Sequence, residues 1–465
     1  MNQTDSDQGV STFAAVASPA AASAGRLCAL LCVTALGAGI AEAGITRIVI
    51  TAVESPTFGG RAFGEVGQYE KLRGVAYGEV DPTDPRNAVI TDIELAPRNA
   101  NGNVEYATDI FILKPLDMSR GNHKLFLDMN NRGQMRLGRL NDAALTNDPT
   151  TAADAGSGFV MNLGYTIVGN GWDFGAPGEN SGLTISVPVA THPDGTEITG
   201  PSYEYIAFNR GAPERYTLAY PAATLDTAEA TLTVRERLDE RPAVIAPAEW
   251  QYVDERTIRL LPAGTAFQAG RIYELSYTAK HPVVAALGLA ATRDFVSFLR
   301  HAAEDDNGTA NPLAREIRQT YSFSISQPSR ALHDFQTLGF NEDEQGRRVI
   351  DGMLKWTGAG TGDQINYRFG QTGRTQRNRQ NHLYPEGVFP FAHQVLTDHL
   401  SGRTGGRSVR CAQSGTCARI FEANSSNEYW VKTGSLLHSD TRAQDLEDPD
   451  DVRFYLIAGT SHGVG

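Results

Sequence analysis

The chain has 465 residues, with 54 acidic and 41 basic side chains and a formal net charge of -13 at pH 7. This length exceeds one ordinary hydrophobic core, so we expect either one large domain with an insertion or two domains. No block of Lys and Arg occurs, which argues against nucleic acid and anionic membrane surfaces as partners.

Residues 1–43 have the pattern of a secretory signal peptide. Arg26 precedes an apolar run over 27–40, and the A-x-A sequence that follows ends at Ala43. Such a leader predicts an exported protein, periplasmic or secreted. The apolar run is shorter than the roughly 20 residues needed to span a bilayer, so we expect no stable membrane association after cleavage.

Cleavage would leave two cysteines, Cys411 and Cys417, on either side of a short glycine-containing loop. In an exported protein this spacing slightly favours a local disulfide over two free thiols.

The order of apolar segments predicts the fold class. Residues 44–115 contain short β-rich runs separated by Pro, Gly, Asn and Asp, and we expect this segment to merge into a larger sheet. Residues 116–465 then alternate apolar strands with amphipathic helices, which is typical of a mostly parallel sheet with helices on both faces. About 175–270 is again β-like, and we interpret it as an insertion that caps the sheet. Core elements should resume with a strand near 271, and a later helix is expected over 392–400.

The stretch SISQPSR places Ser326 between a strand-like run and a helix-like run. In α/β-hydrolases the nucleophilic serine lies on such a sharp turn, where small neighbours are needed because the backbone is strained. Ser324 meets this need, and Pro328 is suited to the first turn of a helix. The amide of Gln327 would be one oxyanion donor. A serine that merely caps a helix would give the same local sequence.

A serine hydroxyl needs a histidine base and a carboxylate that orients it, and in this fold they follow in the order Ser, acid, His. Glu428 follows the strand-like run ARIFEANSS, and His462 follows the run VRFYLIAG. Asp440 and Asp445 are rivals for the acid, but they come later, beyond the expected strand end. The sequence therefore favours Ser326, Glu428 and His462 as the triad.

Two further residues are candidates near this site. Asn131, in the NNRG turn after a strand, occupies the position from which these folds supply a second oxyanion amide, although an ordinary Asn-rich turn has the same sequence. Arg330 could bind an acidic group of the substrate or pair with a surface carboxylate, and we favour the second role.

Nothing in the sequence indicates a cofactor or metal. The glycine-rich stretch 358–362 does not open a βαβ unit and is expected to be a flexible loop. The acidic run 445–451 lacks the pattern of a calcium loop. The remaining histidines have no metal-ligand spacing; they include His301, His333, His393 and His438.

Several motifs together resemble a known family. NNRG, GYTIVGNGWD, the SQxxR elbow followed by LGFNEDEQGRR, NSSNEYW, SLLHSD and AGTSH are similar to the bacterial alpha/beta hydrolase domain family, from about residue 45 onward. The elbow is also similar to that of glucuronoyl esterases, which use serine, glutamate and histidine. The resemblance implies the α/β-hydrolase fold and a serine hydrolase of small carboxylic esters, without identifying the ester.

The resemblance also has two departures. The family carries Gly and other small residues at the elbow where this chain has Ser324, Pro328 and Ser329, and its members continue past the histidine with a final helix. We therefore expect a C-terminal helix to be missing, and the alternative to an active esterase is a non-catalytic, truncated member with a binding role. The sequence does not indicate the oligomeric state.

Overall fold

The computed structural model describes residues 44–372 and 383–462. The signal-peptide prediction concerns residues outside this part of the chain. The helices are α1 (Leu137–Leu140), α2 (Phe159–Asn162), α3 (Leu287–His301), α4 (Gln327–Leu338), α5 (Val409–Ser414) and α6 (Ser426–Val431). The strands are β1 (Gly44–Glu54), β2 (Tyr69–Val80), β3 (Val104–Pro115), β4 (Lys124–Asp128), β5 (Thr166–Asn170), β6 (Ile185–Ser186), β7 (Thr199–Ala207), β8 (Arg215–Thr217), β9 (Thr231–Arg235), β10 (Ala243–Ile245), β11 (Trp250–Asp254), β12 (Thr257–Leu260), β13 (Ile272–Lys280), β14 (Gln319–Ile325), β15 (Gly352–Trp356), β16 (Leu396–Thr397), β17 (Thr404–Gly405), β18 (Arg419–Ser425) and β19 (Val452–Ile457).

The central sheet has the strand order β1-β2-β3-β5-β4-β14-β15-β18-β19, with β6 paired to β3. From β5 to β19 every neighbouring pair is parallel, whereas β1, β2 and β3 form an antiparallel meander at one edge. The mostly parallel sheet predicted from the sequence is therefore confirmed. Because parallel strands share a direction, the residues that follow β4, β5, β14, β18 and β19 emerge at the same edge.

The main core lies between this sheet and helices α3 and α4. Residues 287–299 of α3 are all buried, as expected for a helix enclosed by sheet and loops. In α4 the apolar side chains of Leu332 and Phe335 are buried in the same core. Helix α4 begins at the sheet edge where β14 ends, so its packing positions the residues at that edge.

The β-rich insertion forms two antiparallel sheets, with orders β10-β9-β13-β7 and β11-β12-β8. Strand β13, which contains IYELSYTA, pairs with β7 along its whole length and with β9 over residues 272–276, so it belongs to the inserted sheet and not to the central one. The inserted β-structure thus reaches 280, and the boundary expected near 270 is wrong. The error arose because a strand followed by a helix has the same sequence pattern in either sheet.

The helix expected over 392–400 is also wrong. This segment contains only the short strand β16, which pairs with β17 across a turn. The carboxylate of Asp398 accepts hydrogen bonds from the amide and hydroxyl of Ser401, which stabilises the turn in place of a helix.

Cys411 and Cys417 are joined by a disulfide between α5 and the start of β18. Within the described ranges, no helix is both long and apolar enough to cross a membrane.

Gly288, near the start of α3, provides a test of this packing. A Cβ atom there would lie 1.9 Å from the carbonyl oxygen of Trp172, a backbone atom that cannot move aside easily. Gly288→Ala should therefore destabilise the protein by about 1–3 kcal/mol in thermal or denaturant unfolding, although alanine is the better helix former. Gly405→Ala is the matched control, because its Cβ would meet only a Phe389 ring carbon at 3.5 Å. Equal stability of the two variants would contradict the close approach.

Candidate active site

Ser326 lies between the last residue of β14 and the first residue of α4, with φ 73° and ψ -116°. A positive φ is rare and strained for a residue with a side chain, and it is a feature of sharp functional turns. The strand-turn-helix context predicted from the sequence is present on both sides. Ser326 therefore has the backbone geometry of an exposed nucleophile at a strand end, which a simple helix cap does not need.

Small side chains pack tightly around this turn. Ser324 and Ser329 are fully buried, and their hydroxyl oxygens lie 2.9 Å apart. The Ser326 amide and the Ser329 hydroxyl both donate to the carbonyl of Trp356 in the neighbouring strand. Gly358 follows this strand, and a Cβ atom there would be only 2.7 Å from the Cβ of Ser329. Ser324 and Ser329 thus occupy the positions of the usual elbow glycines, and their buried hydroxyls are satisfied by bonding to each other.

The stretch 358–362 was expected to be a flexible loop, but most of it is buried. Its glycines are needed for close packing: a Cβ at Gly360 would lie 2.2 Å from the Thr433 carbonyl oxygen, and one at Gly362 would lie 2.4 Å from the Asp334 carboxylate. The expectation of flexibility was wrong because sequence does not show how closely another segment approaches.

The three residues chosen from the sequence come together at the shared strand edge. His462 Nε2 lies 2.7 Å from Ser326 Oγ, and His462 Nδ1 lies 2.5 Å from Glu428 Oε1. A histidine that donates from Nδ1 to Glu428 can accept the Ser326 proton at Nε2, which is the arrangement a general base requires.

Glu428 is the third residue of α6, where it also completes a capping box with Ser425. Its carboxylate is 1% exposed and accepts hydrogen bonds from Ser425, Asn427 and His462. Burial opposes ionisation of this carboxyl, but these hydrogen bonds outweigh it and lower its pKa to about 2. Glu428 is therefore held as a carboxylate facing the imidazole.

The loop that carries His462 is attached to the start of α6. The Gly459 amide donates to the Ser426 hydroxyl at 2.8 Å, so the ends of β18 and β19 are connected directly. The rival acid Asp440 instead accepts the amides of Arg442 and Gln444 within its own turn. The backbone of Asp445 pairs with that of Ser439. Among the described residues, the carboxylate that contacts His462 is Glu428 and neither rival.

Gln327 is fully buried, and its side chain reaches two carboxylates. Nε2 lies 3.2 Å from Asp173 Oδ2 and 3.1 Å from Asp363 Oδ2, so both amide hydrogens are used. The backbone amide of Gln327, at the first position of α4, has no acceptor among the described residues. The side chain thus anchors the residue while the backbone amide stays available beside Ser326.

Sequence reasoning missed Asp173 and Asp363. Asp363 is buried, and its pKa is raised well above the usual value by burial first, with the nearby Asp173 and Asp334 carboxylates contributing. The only available signal was the polar exit GNGWD after a strand, which placed Asp173 at the correct sheet edge.

Arg330 has neither of the two expected environments, an acidic group of the substrate or a surface carboxylate. Its guanidinium is buried and lies 3.7 Å from Asp363, so its partner is a buried carboxylate and not a surface one. A side chain enclosed in this way is not placed to bind substrate. The sequence could not indicate this, because it does not show which face of α4 the loop after β15 covers.

The expected role of the Asn131 amide is also wrong for this geometry. That amide donates to the carbonyl of Gln134 at 2.9 Å and closes the NNRG turn. The side chain of Asn131 instead donates to the carbonyl of Ile325 at 3.1 Å, directly before Ser326. Asn131 therefore supports the elbow rather than offering a free donor. Asn130, fully buried, accepts from Gly133 and fixes the same turn.

In residues 44–372 and 383–462, no group of three or more His, Cys, Asp or Glu side chains is arranged to hold a metal ion.

The strained backbone of Ser326 predicts that two substitutions there differ in their effect on stability. Ser326→Gly should be more stable than Ser326→Ala by about 1 kcal/mol, because glycine adopts a positive φ without strain and alanine does not. Thermal unfolding of the two variants measures this difference. A glycine variant that is no more stable than the alanine variant would show that the turn is not strained.

The low pKa of Glu428 predicts an acid dependence of stability. A carboxyl whose pKa falls from 4.5 when unfolded to about 2 when folded stabilises the protein fully above about pH 4.5 and loses this contribution as the pH falls toward 2. The difference in unfolding free energy between wild type and Glu428→Gln should therefore shrink over that range. Glu65→Gln, at an exposed carboxylate, is the control and should show no such change. A Glu428 difference that stays constant over this range would contradict the lowered pKa of this carboxyl.

Part of the chain is similar to a known protein family. Residues 236–464 match the family model described as an alpha/beta hydrolase domain. No curated protein matches the chain. Among solved structures, the chain is similar to a glucuronoyl esterase from Solibacter usitatus at 10% sequence identity, covering 90% of this chain and 84% of that one, with a TM-score of 0.31. A likeness at this level carries no information about substrate.

The domain match covers the end of the insertion, the elbow and the strands that carry Glu428 and His462. Within this range, β14, β15, β18 and β19 are neighbouring parallel strands of the central sheet. The chain therefore has the α/β-hydrolase fold, and residues 236–464 are similar to the alpha/beta hydrolase domain family, which indicates a hydrolase in general.

Proposed function

We propose that this protein is a serine hydrolase that cleaves carboxylic esters through a Ser326-Glu428-His462 triad and an acyl-enzyme intermediate. The observation that supports this most strongly is the unbroken hydrogen-bond chain from Ser326 Oγ through His462 to Glu428, built from three segments far apart in sequence. Such a chain is the minimum arrangement that activates a serine hydroxyl.

In the proposed first step, Ser326 Oγ attacks the ester carbonyl carbon and its proton passes to His462 Nε2. The negative charge of the tetrahedral intermediate falls on the former carbonyl oxygen, which the Gln327 amide binds. Glu428 stabilises the imidazolium that forms. Collapse of the intermediate breaks the bond to the alcohol, which leaves with the proton from His462.

In the second step, His462 removes a proton from water, and the resulting hydroxide attacks the acyl carbon. The carboxylic acid is released, and the proton returns through His462 to Ser326 Oγ. The side-chain bonds of Gln327 to Asp173 and Asp363 keep the oxyanion amide fixed through both steps, without reorganisation during the reaction.

The inserted β-sheets support a proposed role in substrate selection. The segment after β15 packs on them: Phe369 and Tyr384 belong to the core of the insertion, and the Tyr220 hydroxyl donates to the Gly370 carbonyl at 2.7 Å. Since this segment begins beside the elbow, the insertion is coupled to the nucleophile's surroundings. We propose a small-molecule ester as substrate and, from the leader pattern, an exported enzyme.

Alanine at Ser326 or at His462 should each lower ester turnover by at least ~10³-fold, and the double variant should lose little more, because the residues act as a unit. Release of 4-nitrophenol from short-chain 4-nitrophenyl esters measures this. Asp440→Asn is the matched control at the rival acid and should keep wild-type activity, whereas Glu428→Gln should not. Losses that add in the double variant would contradict a shared mechanism.

A fluorophosphonate probe tests the nucleophile without knowledge of the substrate. It should label wild type and Asp440→Asn but not Ser326→Ala. Failure to label a folded wild-type sample would support the non-catalytic alternative.

A further inference from the structure

A cavity lies on the flank of α4, away from the triad. It has a volume of about 240 Å³ and is bounded by the second half of α4, the segment after β15 and residues 385–407. None of the triad residues lines it. Asp334, on its wall, is eight residues beyond Ser326, which corresponds to about 12 Å along the helix axis.

The charges on the cavity wall are not balanced. Arg403 and Arg407 both line it, and neither forms an ion pair with any described residue. Arg407 is buried. Its Nε and Nη2 donate to the carbonyls of Pro390 and Gly360, but its Nη1 has no hydrogen-bond partner in the described part of the chain. A buried guanidinium nitrogen without an acceptor is costly and calls for an explanation.

The acidic groups on the same wall are already engaged. Glu386 forms an ion pair with Lys432 at 3.0 Å, outside the lining. Asp334 accepts a hydrogen bond from the Asp363 amide at 2.7 Å, and burial raises its pKa to about 6. Among the residues that line the cavity, two arginines thus face Asp334. The carboxylate of Glu422, outside the lining, also attracts Arg407, but it is already engaged by His333 and Lys355. The wall therefore has an excess of positive charge that an anion would offset.

Much of the remaining wall is apolar or aromatic, formed by Leu338, Tyr367, Val388, Phe389 and Pro390, and the polar side chains of His333, Thr337, Gln364 and Asn366 complete it. A free inorganic anion would make no apolar contact with these side chains. The volume is smaller than the roughly 300–1,000 Å³ typical of sites for drug-sized ligands, so it suits a single ring or a short branched chain.

We propose that this cavity is a binding site for a small monocarboxylic acid with an aromatic or branched apolar body, distinct from the triad. The carboxylate lies toward Arg403 and Arg407, and the apolar body lies against Tyr367 and Phe389. Asp334 connects this site to the elbow. It accepts a hydrogen bond from the backbone amide of Asp363, and the Asp363 side chain contacts Gln327 and Arg330.

The test uses phenylacetate as the probe and phenylacetamide as its uncharged analogue, by calorimetric titration of the full chain carrying Ser326→Ala. Binding to this variant does not depend on catalysis, so its result is separate from that of the proposed hydrolase activity. Phenylacetate should bind with a Kd of about 1 mM or tighter. The amide should bind at least about tenfold more weakly, because it cannot offset the arginine charge.

Two variants locate the binding. Arg403→Gln removes the exposed charge and should weaken phenylacetate binding about tenfold. Thr337→Phe places a ring in the cavity and should abolish it. Arg442→Gln, at an exposed arginine outside the cavity, is the matched control and should change nothing. Thermal unfolding of each variant confirms that it is folded.

Three results would overturn the proposal. These are no phenylacetate binding to the folded Ser326→Ala chain, equal affinity for acid and amide, or binding that survives both Arg403→Gln and Thr337→Phe.

Discussion

The strained turn at Ser326 is the constraint on which the site depends. A serine with a φ of 73° persists only when its surroundings hold it, and here they do so from three directions. The Ser326 amide is bound to the Trp356 carbonyl, the preceding carbonyl of Ile325 accepts from Asn131, and the Ser324 and Ser329 hydroxyls pair beneath the turn. Each contact comes from a different strand end or from α4 itself. Parallel order in the sheet is therefore what makes the turn possible, because it brings these ends to one edge.

A buried polar network joins the elbow helix to the strand that leads to Glu428. Glu422 in β18 and Lys355 in β15 are direct neighbours in the sheet, and both are buried below α4. The Glu422 carboxylate lies 2.5 Å from His333 Nε2, while His333 Nδ1 faces the carbonyl of Thr361 at 2.9 Å. Burial lowers the pKa of His333 to about 3, so the ring is neutral and donates from one nitrogen only. Burial opposes the charge of Glu422, but His333 and Lys355 outweigh it and hold its pKa well below the usual value. Such a network fixes the position of α4 relative to β18, because removing one partner would leave a buried charge unpaired.

The segment after β15 links the elbow, the β-rich insertion and the cavity beside α4. It begins at the close contact of Gly358 with Ser329, supplies Asp363 to the buried bonds of Gln327, and then packs Phe369 into the β-rich insertion. The same segment lines the cavity beside α4 through Gln364 and Tyr367. One continuous stretch of chain therefore contacts the insertion, the cavity and the side chain of Gln327.

The sequence by itself determined the alternation of strands and helices, the elbow and the identity of the three residues that meet at it. These follow from local patterns: a strand-turn-helix junction, a fixed chain order and the position of each side chain just after a strand. Tertiary structure alone decided the sheet to which β13 belongs, the close packing of the glycine-rich stretch and the partners of Asn131 and Arg330. In each of these cases the outcome depends on which distant segment lies alongside, and hydrogen-bond donors, buried charges and glycines have no fixed role until that neighbour is in place.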